Sequence, residues 1–213
     1  MAPNDNLRIN DKSLYYHILK RIIDLCGSVI GMIIFAPLML ITMLAIKIDS
    51  KGPAIFSQER VGRAHKTFKM YKFRSMKLNA EEEKHLLIDR NEMSGPMFKI
   101  KEDPRITKIG KLIRCTSIDE LPQLINVLKG EMSLVGPRPS LPSEVSKFEK
   151  WMLKRLEVKP GLTCYWQVRG RNEIGFIDWM ELDCKYVDER NTFVDILLIF
   201  KTFKKFLGDK HAR

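Results

Sequence analysis

From Ile22 to Ile46 the chain is almost wholly apolar, interrupted mainly by Asp24, Gly27, Ser28, Gly31, Pro37 and Thr42. A run of about 20 apolar residues suffices to span a bilayer as a straight helix. The run is too long for a signal-peptide core, and no small-x-small cleavage site closes it, so it is expected to stay as an anchor. Two topologies compete. In the first the segment spans the membrane. In the second it enters and leaves on one side. Pro37 lacks an N–H and clashes with the preceding turn, so it can break a helix there. Carbonyls freed in lipid need polar partners, and Ser28 or Asp24 could supply them. The residues of this segment by themselves favour spanning. Its flanks are basic on both sides. Lys47, Lys51, Arg60, Arg63, Lys66, Lys69, Lys72, Arg74 and Lys77 follow it; Arg8, Lys12, Lys20 and Arg21 precede it. The heavier flank places the C-terminal body in the cytoplasm. The charge before the segment gives mild support to both ends lying inside.

The 213 residues suit one domain. A net charge of +11 implies an anionic partner: nucleic acid, anionic lipid or a phosphorylated ligand. Cys26, Cys115, Cys164 and Cys184 stand far apart, which argues against a zinc site or a disulfide framework. Residues 1–21 read as a polar arm, 22–48 as the membrane segment and 49–213 as the body. Residues 54–77 alternate weakly around Gly62 and read as a hairpin. Helices are expected over 78–92, from Ile106 to Ile113, over 120–129 with a stop at Gly130, over 141–157, over 175–190 and over 193–207. Two of these, the basic helix at Ile106–Ile113 and the Phe-rich one at 193–207, are amphipathic enough to lie in a membrane surface. For the first, packing on a core is an equal alternative. The fold class is therefore mostly α with a few short β-strands.

Ser117-Ile-Asp-Glu-Leu-Pro122 holds the most informative carboxylates. Pro122 is poorly tolerated deep inside a helix, so a helix should start just before it. That puts Asp119 and Glu120 at a helix N-terminus, where dipole and free N–H groups favour anions. Asp119 should then stay ionised, as a carboxylate nucleophile must, and Glu120 could ligate Mg²⁺. Ser117 and Glu120 also fit a plain capping box. In Pro137-Arg-Pro139 the prolines fix the backbone around Arg138, which suits phosphate recognition. Arg105 and Arg114 flank the basic helix, Lys72, Arg74 and Lys77 form another basic cluster, and Trp166-Gln-Val-Arg-Gly-Arg171 joins an aromatic to two arginines. Each has a bland counterpart as solvated or lipid-facing charge.

Taken in order, the motifs are far more specific. Lys20-Arg-Ile-Ile-Asp24, Gly52-Pro-Ala-Ile-Phe-Ser-Gln58, Arg60-Val-Gly62, Tyr71-Lys-Phe-Arg-Ser-Met76 and Asp103-Pro-Arg-Ile-Thr107 come first. Arg114 to Gln123, Asn126 to Ser133, Val135-Gly-Pro-Arg-Pro139, Lys159-Pro-Gly-Leu-Thr163, Trp166-Gln-Val168, Gly170-Arg171, Asp183 and Tyr186 follow. Together they resemble the bacterial sugar transferases, monotopic phosphoglycosyl transferases acting on a polyprenol carrier. The resemblance implies a re-entrant hairpin broken at Pro37 with both ends cytoplasmic, reversing the preference for spanning. It implies that Asp119 attacks the β-phosphate of a UDP-sugar and forms a sugar-phosphoryl-aspartate while UMP leaves. A polyprenyl phosphate such as undecaprenyl phosphate then takes the phosphosugar. Glu120 is associated with Mg²⁺, and Arg138 with nucleotide or phosphate. Arg114, Lys72, Arg74, Arg105 and Arg171 are the further phosphate-binding candidates, and Pro37 with Ser28 the membrane break. The expected setting is the cytoplasmic face of a bacterial inner membrane, in contact with lipid and without nucleic acid; a homo-oligomer is left open. The chain looks like the minimal catalytic form. Cys164 departs from the family's more frequent Gly. The rivals are a membrane-tethered nucleic-acid binder, for which no module signature is present, and a membrane scaffold.

Overall fold

The computed structural model describes residues 12–92, 95–98, 100–169 and 174–208. Helix α1 (Leu14–Asp49) is one element of 36 residues, about 54 Å long at the usual rise. The Ser13 side chain caps it by accepting from Tyr16 N–H. Residues 14–21, read above as part of an arm, are its first turns. Pro37 lies inside it, so the expected break between two helices is absent. A single proline removes one N–H, and the bonds on either side can persist. Nor does Ser28 serve the carbonyl that Pro37 leaves without a donor, that of Ile33. Its hydroxyl donates to Asp24 O at 2.6 Å and Leu25 O at 3.1 Å.

One face of α1 is apolar and exposed, with Ile22, Val29, Ile33, Ile34, Leu40, Ile41 and Leu44. The other is fastened to the body at intervals. Lys20 Nζ pairs with Asp195 at 2.9 Å and donates to Val135 O at 3.0 Å. Arg21 donates to the carbonyls of Val127 and Leu128 at 2.7 and 2.8 Å. Asp24 Oδ1 accepts from Ser133 Oγ and Leu134 N–H, both at 2.9 Å. Gly27 admits Leu134: a Cβ there would lie 2.6 Å from its Cδ1. Farther along, Met39, Met43 and Ile46 pack with Phe73, Ile113, Ile118 and Leu121. Ile109 N–H donates to Asp49 at 3.3 Å.

In the body, β1 (Ile55–Val61) and β2 (Thr67–Phe73) form the expected antiparallel hairpin, with Ile55 opposite Phe73 and Gln58 opposite Met70. The expected helix over 78–92 is a 3-10 helix, Glu82–Arg90. Helix α2 (Lys108–Cys115) buries Gly110 and Ile113 and leaves Lys108, Lys111 and Arg114 exposed. Helix α3 (Gln123–Lys129) stops at Gly130, whose φ of 80° suits glycine. Strands β3 (Ser133–Val135) and β4 (Gly161–Thr163) pair in parallel. Between them, α4 (Pro142–Val145) and a 3-10 helix (Lys150–Glu157) replace the single helix expected there. Helices α5 (Tyr165–Arg169), α6 (Phe176–Glu189) and α7 (Thr192–Gly208) complete the order. Trp166 stacks on Trp179 with centroids 4.3 Å apart, in a cluster with Met152, Phe176 and Met180. Cys164 is fully buried beside Val135, Tyr186 and Leu198.

Asn126 joins hairpin to helix. Its Oδ1 accepts from Tyr71 N–H at 3.0 Å, and its Nδ2 donates to Lys69 O and Glu131 Oε2, both at 2.7 Å. It is wholly buried. Asn126→Ala should leave these groups without partners and cost about 1–3 kcal/mol for each one that stays buried, read as a lowered midpoint in denaturant unfolding. An unchanged midpoint would show that water replaces the amide.

Candidate active site

Asp119 and Glu120 sit in a short 3-10 turn, Ile118–Glu120, not in the first turn of α3. Ser117 enters this turn at φ 54°, in the left-handed region, and its side chain makes no capping bond to it. The capping-box alternative is therefore not realised. Ile118 and Leu121, on either side of the dyad, are packed in the cluster that holds Met39, Met43 and Ile46 of α1.

Asp119 is buried, at 8% exposure, and Glu120 is partly open. Burial pushes the Asp119 carboxyl above the ordinary range, and Glu120 adds to this; Lys72, Arg114 and Arg138 oppose it. The sequence reading, which had Asp119 kept ionised by a helix terminus, missed this desolvation. The opposing charge comes from elsewhere in the chain. Lys72, on β2, places Nζ 2.8 Å from Glu120 Oε1 and 3.7 Å from Asp119 Oδ2. Arg138 Nη1 lies 3.7 Å from the same Glu120 oxygen. Arg114 is exposed on the last turn of α2.

The loop carrying Arg138 is held from several sides. Gly136 N–H donates to Thr163 O at 2.8 Å, and Gly161 N–H to Pro137 O at 2.9 Å. A Cβ on Gly161 would fall 2.1 Å from Gly136 N, so only glycine permits this approach. Arg60 Nη1 donates to Pro139 O at 3.1 Å, and Arg155 Nη2 to Arg138 O at 2.6 Å. Arg155 also donates to Ser140 Oγ and pairs with the fully buried Asp183 at 2.7 Å. Two buried arginines thus hold consecutive carbonyls of the loop while the Arg138 side chain reaches the dyad. No local motif marked either role; Arg60 and Asp183 stood out only within the ordered set.

Other candidates lie elsewhere. Arg74 donates to Ser50 O and Lys51 O, both at 2.7 Å, and closes the end of α1. Arg105 is buried, paired with Asp103 at 2.6 Å and donating to Ala80 O at 2.8 Å. Both are engaged with the protein's own backbone and carboxylate groups, away from the dyad. Arg171 lies outside the described residues. Among the described residues no three His, Cys, Asp or Glu side chains gather. Two neighbouring carboxylates still fit Mg²⁺, which commonly takes one or two with substrate phosphates and water.

The sequence matches the family model described as bacterial sugar transferase over residues 15–209. The galactosyl transferase CpsE of Streptococcus agalactiae is 49% identical over 195 residues, which cover 91% of this chain and 43% of that protein. The undecaprenyl-phosphate galactose phosphotransferase of Salmonella typhimurium is 46% identical over 194 residues, 89% of this chain and 40% of that protein. The chain thus spans about two fifths of these relatives. The exopolysaccharide production protein ExoY of Rhizobium meliloti is 35% identical over 187 residues, 86% of this chain and 83% of that protein.

Lys72 favours the charged form of Asp119. Lys72→Met should therefore raise the pH below which Asp119 takes up its proton. Carbodiimide labels protonated carboxyls, so labelling of Asp119, followed by mass spectrometry, should persist to higher pH in the variant. An unmoved profile would disconnect the two groups.

Proposed function

Because this chain belongs to the bacterial sugar transferase family, we propose that it is a phosphoglycosyl transferase that moves a sugar-1-phosphate from a UDP-sugar to a polyprenyl phosphate. The observation that carries this is a buried carboxylate, Asp119, set beside Glu120, Lys72 and Arg138 on a body fastened along an apolar helix. Relatives named as undecaprenyl-phosphate galactose and N-acetylgalactosamine phosphotransferases support undecaprenyl phosphate as acceptor. The name of the Rhizobium relative supports a place in exopolysaccharide synthesis. The relatives' sugars differ, so the donor's sugar stays open.

Asp119 Oδ attacks the β-phosphorus of the donor. The new O–P bond forms as the bridge to the α-phosphate breaks, and UMP leaves with the bonding pair. An oxygen of the lipid phosphate then attacks the same phosphorus and returns Asp119 as a carboxylate. A covalent intermediate lets one site serve a soluble donor and a membrane-bound acceptor in turn. Arg138 and Lys72 orient phosphate oxygens and offset their charge. Glu120 would hold Mg²⁺ together with the diphosphate, and the ion supplies neutralisation of negative charge.

For topology, we propose that α1 bends at Pro37 without breaking and so keeps both its ends at one membrane face, with the body cytoplasmic. The body touches α1 from Lys20 to Asp49. A spanning helix would carry one of those ends across about 30 Å of hydrocarbon. The exposed Phe193, Leu197, Phe200 and Phe203 of α7 suit an interfacial helix.

Wild-type protein with undecaprenyl phosphate, Mg²⁺ and a panel of UDP-sugars should release UMP with at least one donor, in ping-pong kinetics. Asp119→Asn should lose at least about 10³-fold in rate, and chelation should abolish turnover. Full activity of Asp119→Asn would remove the nucleophile. Arg155→Lys should mainly raise KM for the donor. In an Arg138→Ala background it should cost little more, because both changes act on one guanidinium. Additive losses would mean that Arg155 acts on stability alone.

A further inference from the structure

At the other end of α3 from the dyad lies a second group of cations. Arg21 Nη2 and Lys159 Nζ each stand 3.5 Å from the point where a Cβ on Gly130 would lie. One edge of Arg21 is taken by the carbonyls of Val127 and Leu128. Lys159 is different. It is half-buried, and among the described residues its ammonium has no hydrogen-bond or ion-pair partner. Burial pushes it below the ordinary lysine range, and Arg21, Arg63 and Lys20 push the same way, while Asp24 pulls it back. Three like charges outweigh the one carboxylate, Asp24, which is itself engaged with Ser133 and Leu134. The α3 C-terminus favours cations, but Arg21 already holds its carbonyls.

We propose that Lys159 and Arg21 form a binding site for a phosphate group, and that the phosphate is carried by a membrane lipid headgroup. Two cationic donors around one point suit a phosphate mono- or diester. The surroundings select the lipid. Arg21 immediately precedes the apolar run, and Ile18, Ile22 and Leu25 form an exposed apolar ridge beside it. A phosphate at Lys159 therefore has acyl-chain surface next to it. The site is separate from the dyad by the length of α3, about 10 Å for its seven residues. It does not depend on the reaction proposed above.

The test uses the full chain in detergent, with Lys159→Gln compared against Lys147→Gln, an exposed lysine that loses the same charge. Native mass spectrometry should show phosphatidylglycerol retained over phosphatidylcholine by wild type and Lys147→Gln. Lys159→Gln should bind it about fivefold more weakly, and Lys159→Arg should restore retention. Without anion, Lys159→Gln should melt no lower than wild type, because a like charge has gone. If inorganic phosphate raises the melting temperature of wild type but not of Lys159→Gln, and no lipid is retained, the headgroup assignment is overturned in favour of free phosphate. Equal lipid retention and equal phosphate response in wild type and Lys159→Gln would overturn the site itself.

Discussion

A carboxylate inside an apolar helix needs partners, and Asp24 finds them in the body. Ser133 Oγ and Leu134 N–H both donate to its Oδ1. An unpaired charge there would be costly to bury. Pairing it locks β3, only three residues long, against α1. Lys20 and Arg21 act in the same way one turn earlier, donating hydrogen bonds to the carbonyls of Val135, Val127 and Leu128. The apolar helix is thus no detachable anchor. Its polar side chains complete the hydrogen bonding of the domain that contains the dyad.

The rest of the site is placed relative to that contact. Helix α3 runs from the dyad turn to the carbonyls that Arg21 holds. Asn126 ties α3 to β2 and so brings Lys72 to Glu120. Strand β3 leads into the Arg138 loop, where paired glycines and two buried arginines fix its course. Three separate elements therefore deliver Lys72, Glu120 and Arg138 to one place, and each is referred back to α1.

Much of this was legible in the sequence where the signal was local. The apolar run, the hairpin around Gly62 and the stop at Gly130 each follow from residues within one element. Strands β3 and β4 were not legible, because three residues are too few for a periodicity. The same limit explains Arg74 and Arg105. A basic cluster looks alike whether its side chains meet phosphate or backbone carbonyls, and the carbonyls of Ser50 and Ala80 come from distant segments. Arg155 carried no local signal for its position under the Arg138 loop. The state of Asp119 was misjudged for a related reason: local spacing suggested a helix terminus, whereas desolvation depends on what the whole chain packs around the turn.

That desolvation has a use under the proposed reaction. A buried carboxylate is poorly hydrated and closer in reactivity to a nucleophile in a dry medium, at the cost of a raised affinity for protons. Lys72 counters the second effect by standing within 3.7 Å of Asp119 while bonded to Glu120. One ammonium thereby serves both carboxylates, and Arg138 adds a second cation to Glu120. Binding a diphosphate brings further negative charge, so the same cations must be shared with it. Glu120 would then be freed to take a metal ion. On that reading the protonation of Asp119 and the filling of the site would be coupled through Lys72. The apolar cluster of Ile118, Leu121, Met39 and Met43 holds the dyad against the apolar helix, and under the proposed reaction that is where the acceptor's phosphate would arrive.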